Sequence, residues 1–383
     1  MLNNRFIFKR FLTTIPKKDI GFVFDIDGVL LKGSSGIPQA TTTLNYLSKH
    51  QIPFILFTNG GGQKESTRAN KVSKLLNLHK PINQNQIVQS HTPFKTLVNK
   101  HRRVLVVGGP LDSSRDVAIQ YGFKEVLRPV DLIKANPHIW PFHRYTQEEV
   151  QTWGLDPKIS KVNVESPNQG AANEPIDLIL VFNDPRDMGS DFQIIQDLLN
   201  SQNGVLGTTR HIKGGSSKPS VPIVFSNNDF YWANEYPQSR FGQGVFRILV
   251  ESIYSKINHG KQLETLVLGK PFKISYDYAH HLLIDWRQKL LNGKEDDKVL
   301  EPKLNDSPDV SPFKKVYMIG DNPESDILGA NSYGWESILL RTGVYKDGDF
   351  EKNDALARPS VGVFDNVQEG VFEALSQNGL LKH

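Results

Sequence analysis

The chain has 383 residues, a formal net charge of +4, 22% charged residues and no cysteine. That length excludes a single small module, and the lack of cysteine excludes disulfides, thiolate metal sites and thiol nucleophiles, so any nucleophile is an oxygen or a nitrogen. Arg5, Lys9, Arg10, Lys17 and Lys18 stand in a leader without acids, which leaves the rest of the chain at a net charge of −1 and argues against nucleic acid as a partner.

Within the leader, Leu2, Phe6, Phe11 and Ile15 can share one helical face while Arg5 and Lys9 lie elsewhere. This is the acid-free amphipathic pattern of a mitochondrial transit peptide over residues 1–18, and a basic tail is the other reading. No apolar run approaches the roughly 18 residues that a membrane span needs, so no transmembrane segment is expected. From Gly21 onward, short runs of Val, Ile, Leu and Phe alternate with segments of helical period, the pattern of parallel strands with crossover helices. The predicted strands are 22–24, 54–57, 104–107, 178–182, 223–225, 266–268, 316–319 and 337–340. Predicted helices cover 39–50, 63–76, 92–100, 114–121, 191–200, 243–257, 275–291 and 325–331. Residues 128–175 and 207–222 read as loops, and the charged, proline-containing stretch 292–312 as a mobile surface insertion. The fold class is therefore α/β.

Chemistry gathers at four predicted strand exits. The first strand runs into Asp25-Ile26-Asp27-Gly28; positions i and i+2 of an extended chain face the same way, so both carboxylates can enter one crevice at the strand's carboxyl end. One could attack while the other moves a proton, although such a pair also serves as a metal clamp or an ordinary polar exit. The second strand ends in Thr58-Asn59-Gly60-Gly61-Gly62, which offers a hydroxyl, backbone N–H groups and a following helix N-terminus to an anion. The third ends in Gly269-Lys270-Pro271 and places one cation; alone, this lysine would be read as a solvated surface residue. The fourth ends in Gly320-Asp321-Asn322-Pro323-Glu324-Ser325-Asp326, hard oxygen ligands of the kind that suit Mg²⁺. If all four lie at one edge of a parallel sheet, they make a phosphoryl-transfer site in which Mg²⁺ and Lys270 balance Asp25, Asp321 and a phosphate dianion.

In order and context these motifs resemble the haloacid dehalogenase (HAD) superfamily, with its Asp-x-Asp-x-[Thr/Val], Thr/Ser, Lys and Gly-Asp-x-x-x-x-Asp pattern, from Gly21 to about Val344. Asp-x-Asp-Gly-Val, Phe-Thr-Asn, Gly-Lys-Pro and Arg341-Thr342-Gly343-Val344 are similar to its class IIA, the NagD-like group. Segments 58–62, 89–93, 181–185, 240–244 and 276–283 further resemble the cat eye syndrome critical region protein 5 family of mitochondrial HAD-like hydrolases. The resemblance implies a doubly wound parallel-sheet HAD-like core over residues 20–101 and 236–383, with an inserted α/β cap over 102–235. It implies Asp25 as a nucleophile that forms an aspartyl-phosphate and Asp27 as the general acid and base. Thr58, Asn59 and Lys270 would hold the phosphoryl oxygens. Mg²⁺ would bind the Asp25 carboxylate, the Asp27 carbonyl and Asp321, with Asn322 and Asp326 behind them.

The implied activity is hydrolysis of a small phosphorylated metabolite in the mitochondrial matrix, in a chain that can form a homo-oligomer. Fungal relatives fused to a CDP-alcohol phosphatidyltransferase point toward glycerophospholipid metabolism. A catalytically quiet scaffold that keeps the fold is the rival reading. Gly60 departs from the Asn or Ser usual at its position, so the resemblance does not carry a substrate. In the expected cap, 183–186 faces either the substrate or water. Asn227-Asn228-Asp229 reads as a hinge back to the core, and His280-His281, pointing apart on a helix, is no metal pair.

Overall fold

The computed structural model describes residues 16–109, 113–162, 173–232, 236, 238, 240–295 and 300–381, so the leader up to position 15 lies outside the described residues. The chain begins with β1 (Ile20–Phe24), a hairpin of β2 (Leu31–Lys32) and β3 (Ser35–Gly36), α1 (Pro38–Lys49), β4 (Phe54–Phe57), α2 (Glu65–Leu75) and β5 (Ile87–Val88). Its middle holds β6 (Arg103–Val107), α3 (Ser113–Tyr121), β7 (Glu125–Leu127), α4 (Pro129–Ala135), α5 (Gln147–Trp153), α6 (Pro157–Ser160), β8 (Leu178–Val181) and α7 (Met188–Leu199). Next come β9 (Ile223–Phe225), a second hairpin of β10 (Tyr231–Trp232) and β11 (Arg240–Phe241), α8 (Gln243–Ile257) and β12 (Leu266–Val267). The remainder is α9 (Lys273–Asn292), β13 (Lys315–Gly320), α10 (Leu328–Tyr333), β14 (Glu336–Leu340), α11 (Asp349–Lys352), β15 (Gly362–Phe364) and α12 (Val367–Gln377).

Two parallel sheets organise these elements. The first has the order β15-β14-β13-β1-β4-β5 and the second β12-β9-β8-β6-β7. In the first, the chain leaves β1 toward β4 and β5 on one side and later fills β13, β14 and β15 on the other. The crevice at the carboxyl end of β1, flanked by β4 and β13, is thus a topological switch point, where α/β sheets bind ligands. Side chains of β1 alternate between faces as the period of two requires: Phe22 and Phe24 pack with α1 and α12 residues, and Val23 packs with Leu282 and Leu283 of α9. Helices therefore cover both faces, and every residue of β1 and β4 is buried.

The second sheet continues past residue 236, where the sequence suggested a return to the first. Leu266 and Val267 of β12 pair with Val224 and Phe225 of β9. Phe246, Val250 and Tyr254 of α8 are buried against Val181, Ile223 and Phe225 of the same sheet. The expected loop over 128–175 contains α4, α5 and α6. Two of its prolines start helices rather than prevent them: Pro129 and Pro157 stand in the first helical turn, where a missing N–H costs nothing. Thr146 and Glu149 close a capping box on α5. The predicted helix at 92–100 is a 3-10 helix, opened by Pro93.

The described part of the 292–312 insertion lies along α9 rather than standing free. His280 Nε2 pairs with Ser311 Oγ at 2.9 Å, and His281 Nε2 with the Asp306 carbonyl at 2.8 Å, so both adjacent histidines hold the insertion.

Because Phe246 is fully buried between α8 and the second sheet, Phe246→Ala should lower stability by about 3–5 kcal/mol, read as a shifted urea midpoint. An unchanged midpoint would contradict the packing of α8 on that sheet.

Candidate active site

Three of the four predicted strand exits meet at the switch point: β1 delivers Asp25 and Asp27, β4 delivers Thr58 and Asn59, and β13 delivers Asp321. The fourth comes from the other sheet. Lys270 follows β12, so the expectation of one sheet edge is corrected: the lysine reaches across from the edge strand of the second sheet.

Lys270 Nζ lies 2.6 Å from Asp25 Oδ1 and 2.7 Å from Asp326 Oδ1, with all three side chains at most 10% exposed. Asp321 joins them, and ligand oxygens of Asp25, Asp321 and Asp326 lie within 4.8 Å of one another. Burial pulls the Lys270 ammonium down, but Asp25 and Asp326 outweigh it and hold it charged well above its ordinary range. Burial pushes the Asp25 carboxyl well up against the opposing pull of Lys270. Asp321 is raised to about 7, first by burial and then by Asp326, against the Val344 N–H that it accepts at 2.7 Å. Three carboxylates around one ammonium leave an excess of negative charge out of water, which calls for a further cation. The donors are hard oxygens and fit Mg²⁺.

Asp326 belongs inside this cluster rather than behind it. Its Oδ2 accepts the N–H groups of Asp321 (3.1 Å) and Asn322 (3.0 Å), so one buried carboxylate fixes both the lysine and the turn that carries Asp321. The Asn322 side chain instead accepts Glu324 N–H at 2.9 Å and caps the short helix that follows. Gly28 has φ +87°, and a Cβ there would strike the Asp321 carboxylate, so the Asp-x-Asp-Gly turn closes on the acid only with glycine.

Thr58 Oγ1 accepts the Gly60 N–H at 3.0 Å, which leaves its own proton to donate into the crevice. Asn59 differs from expectation. Its amide nitrogen donates to Asp229 Oδ1 (2.9 Å) and the Lys270 carbonyl (3.0 Å), and its amide oxygen accepts Lys270 N–H (2.7 Å). With both donors and the oxygen committed, the side chain positions Lys270 and is not presented to an anion. Asp27 also differs: its side chain is 57% exposed, outside the metal cluster, and Oδ2 accepts from Arg68 Nη2 of α2 at 2.8 Å.

Arg68 and Asp229 escape sequence reasoning because neither stands in a strand-exit motif; only the hinge reading of 227–229 touched the second. Burial raises the Asp229 carboxyl to about 6, against the Asn59 amide and Lys270. Asn227 Nδ2 also donates to the Asn59 carbonyl at 3.3 Å, so the segment after β9 is tied to the turn after β4. From β8, Asn183 reaches the same turn: a Cβ on Gly62 would stand 2.8 Å from its Nδ2.

The family described as haloacid dehalogenase-like hydrolase matches residues 22–124, and one described as HAD-hydrolase-like matches residues 267–370. A mitochondrial hydrolase of Saccharomyces cerevisiae is 46% identical over 372 residues, which cover 96% of this chain and 97% of that protein. The chain belongs to the haloacid dehalogenase-like hydrolase family. A cardiolipin synthase (CMP-forming)/mitochondrial hydrolase fusion protein of Schizosaccharomyces pombe is 41% identical over 368 residues; the match covers 96% of this HAD-like chain and 55% of the fusion. Among solved structures, a hypothetical protein of Pyrococcus horikoshii has a TM-score of 0.57 at 16% identity, covering 93% of this chain and 99% of that one. NagD of E. coli K-12 has a TM-score of 0.52 at 16% identity, covering 91% and 97%. These two share the HAD-like fold. Among the described residues no helix is long and apolar enough to cross a membrane.

Asp321, raised to about 7, keeps a proton in the metal-free folded state that the unfolded chain releases near pH 4. The folded state binds more protons across that window, so this group lowers stability as pH rises from about 4 to 7. A metal replaces that proton, so the stabilisation by added Mg²⁺ should grow over the same range. Thermal midpoints in EDTA and in Mg²⁺ from pH 5 to 8 test this; a Mg²⁺ increment independent of pH would contradict it.

Proposed function

We propose that this protein is a Mg²⁺-dependent phosphomonoester hydrolase that works through an aspartyl-phosphate on Asp25. The observation that carries the reading is the buried Asp25–Lys270–Asp326 chain with Asp321 beside it, at the switch point of the first sheet. Asp25, Asp321 and Asp326 would hold the metal, with the Asp27 carbonyl beside them, and the ion would neutralise phosphoryl charge. An Asp25 oxygen attacks phosphorus and the P–O bond to the alcohol breaks. Asp27 gives its proton to the departing oxygen, then takes one from a water that attacks phosphorus, which frees Asp25 and releases phosphate. Lys270, the Thr58 hydroxyl and the N–H groups of the 59–61 turn offset the charge on the phosphoryl oxygens. Arg68 holds Asp27 by Oδ2, which leaves Oδ1 to carry this proton.

The second sheet with its helices acts as a cap. Asn183 and the segment from Asn227 to Asp229 already touch the turn after β4, so the alcohol part of the substrate lies between the two sheets. The substrate is a small phosphorylated metabolite. The names of the two fungal relatives support a place in mitochondria, and the fusion partner supports a link to glycerophospholipid metabolism. The matrix and a homo-oligomeric state complete the reading.

Asp25→Asn should abolish Mg²⁺-dependent release of phosphate, and Asp27→Asn should slow it by about 10²–10⁴, less for a good leaving group such as nitrophenolate. Phosphate release by the purified full chain, with circular dichroism as the folding control, measures both. Full activity in Asp25→Asn would refute the nucleophile, and a folded wild type that binds Mg²⁺ but cleaves no ester would favour the scaffold.

A further inference from the structure

We propose that Tyr276 is a positioning residue for the metal site: its hydroxyl holds the main chain at Asp326, so that the Asp326 carboxylate meets Lys270 and the proposed Mg²⁺ together. The inference rests on the Mg²⁺-dependent phosphatase reading above and adds a residue that acts only through Asp326.

Asp326 has little freedom to find its partners by itself. Its short side chain turns about two bonds only, so the carboxylate follows the main chain that carries it. Oδ1 is committed to Lys270 and Oδ2 to the N–H groups of Asp321 and Asn322. A Cβ on Gly320 would collide with the Asp326 side chain, so the aspartate already lies tight against the exit of β13. The main chain here is a single wide turn, Pro323–Ile327, in which the Asn322 carbonyl accepts the N–H of Ile327 at 3.4 Å as well as that of Asp326 at 3.0 Å. Such wide turns are rare and occur frequently at functional sites. Whatever fixes this turn fixes the carboxylate.

The hold comes from α9. Tyr276 is fully buried, and its hydroxyl donates toward the carbonyls of Asp326 (3.1 Å) and Ser325 (3.3 Å). Its ring is fixed edge to face against Phe57 of β4, at 5.2 Å between centroids, and against Trp335 at 5.3 Å. Position 329 admits the hydroxyl because it is glycine, since a Cβ there would strike it. The preceding residue, Ser275, accepts the Gly269 N–H on Oγ at 2.7 Å, next to Lys270. The first turn of α9 thus fixes both partners of the Lys270–Asp326 pair, one through Ser275 and the other through Tyr276. Packing alone does not call for the hydroxyl, because phenylalanine would fill the same aromatic box. A buried hydroxyl costs free energy unless it has a partner, and this one is committed to the main chain of a proposed metal ligand. The hydroxyl of Tyr333, in the same box, donates instead to Asp277 Oδ1 at 2.8 Å.

The test is Mg²⁺ binding to the full-length chain, read by calorimetry without substrate. Tyr276→Phe, which removes one oxygen and keeps the ring, should weaken Mg²⁺ about tenfold, as loss of a group that orients a metal ligand does. Tyr333→Phe removes a hydroxyl from the same box and should leave Mg²⁺ affinity as in the wild type. Gly329→Ala, which crowds the Tyr276 hydroxyl, should weaken Mg²⁺ as Tyr276→Phe does, and it decides the matter if that variant does not fold. In turnover of nitrophenyl phosphate by Tyr276→Phe, the Mg²⁺ concentration for half-maximal rate should rise by the same factor, while KM at saturating Mg²⁺ stays unchanged. Wild-type Mg²⁺ affinity in folded Tyr276→Phe or Gly329→Ala overturns the inference. Equal weakening by Tyr333→Phe also overturns it, by making the loss one of packing. A wild type that binds Mg²⁺ but cleaves no ester defeats the phosphatase reading alone, because the calorimetric comparison still decides the role of Tyr276. A wild type that binds no Mg²⁺ defeats both.

Discussion

The ammonium of Lys270, held between the carboxylates of Asp25 and Asp326, is the interaction on which the rest of the site depends. It joins the two sheets, because the lysine arrives from β12 of the second and its acids from β1 and the turn after β13 of the first. It also fixes conformations on both sides. Asp326 spends its other oxygen on the Asp321 and Asn322 N–H groups, and Asn59 grips the Lys270 backbone by both N–H and carbonyl. A buried pair of this kind adds little net stability relative to apolar packing, since desolvation offsets attraction, but loss of one partner leaves a charge stranded. Its value is positional: an acid at the end of β1 is aimed and neutralised at once.

Under the proposed function, the same electrostatics suit a phosphate anion that arrives together with a divalent cation. One lysine among three buried carboxylates is too little positive charge, and the raised Asp25 and Asp321 carboxyls express that deficit as retained protons. Mg²⁺ supplies the missing charge in the proposed function, and a phosphate dianion then meets a neutralised cluster instead of a repelling one. At the mouth, the pair formed by Arg68 and Asp27 has the opposite character, with an exposed acid on a buried base. In the proposed function the core of the site meets the phosphoryl group.

Much of this was legible in the sequence where one strand carries the information. The apolar runs that end in Asp25, Thr58 and Asp321 predict both the strands and the direction of those side chains, because a period of two and a parallel sheet leave few alternatives. The resemblance of the motifs to the HAD superfamily agrees with the family match. Less legible was anything decided between distant segments. Leu266 and Val267 read as a strand, but which sheet they join depends on Val224 and Phe225, 42 residues earlier. The resemblance implied Asn59 as an anion ligand, yet its side chain is drawn away by the Lys270 backbone, 211 positions on. Arg68 lies on a helix where a cation is ordinarily solvated, and nothing local says that it reaches Asp27. The prolines of 128–175 read as loop-formers because position within a helix, which decides their effect, is settled only once the helices exist.

The central claim is that Asp25 itself carries the phosphoryl group, and the most direct measurement is chemical trapping at that residue. The full chain is mixed with Mg²⁺ and a hydrolysable ester, quenched, and treated with borohydride, which reduces an acyl phosphate to an alcohol. Peptide mass spectrometry should then find homoserine in place of Asp25, dependent on both Mg²⁺ and ester and found at no other aspartate. Turnover that proceeds with Asp25 unreduced, or reduction at a different carboxylate, would contradict the account.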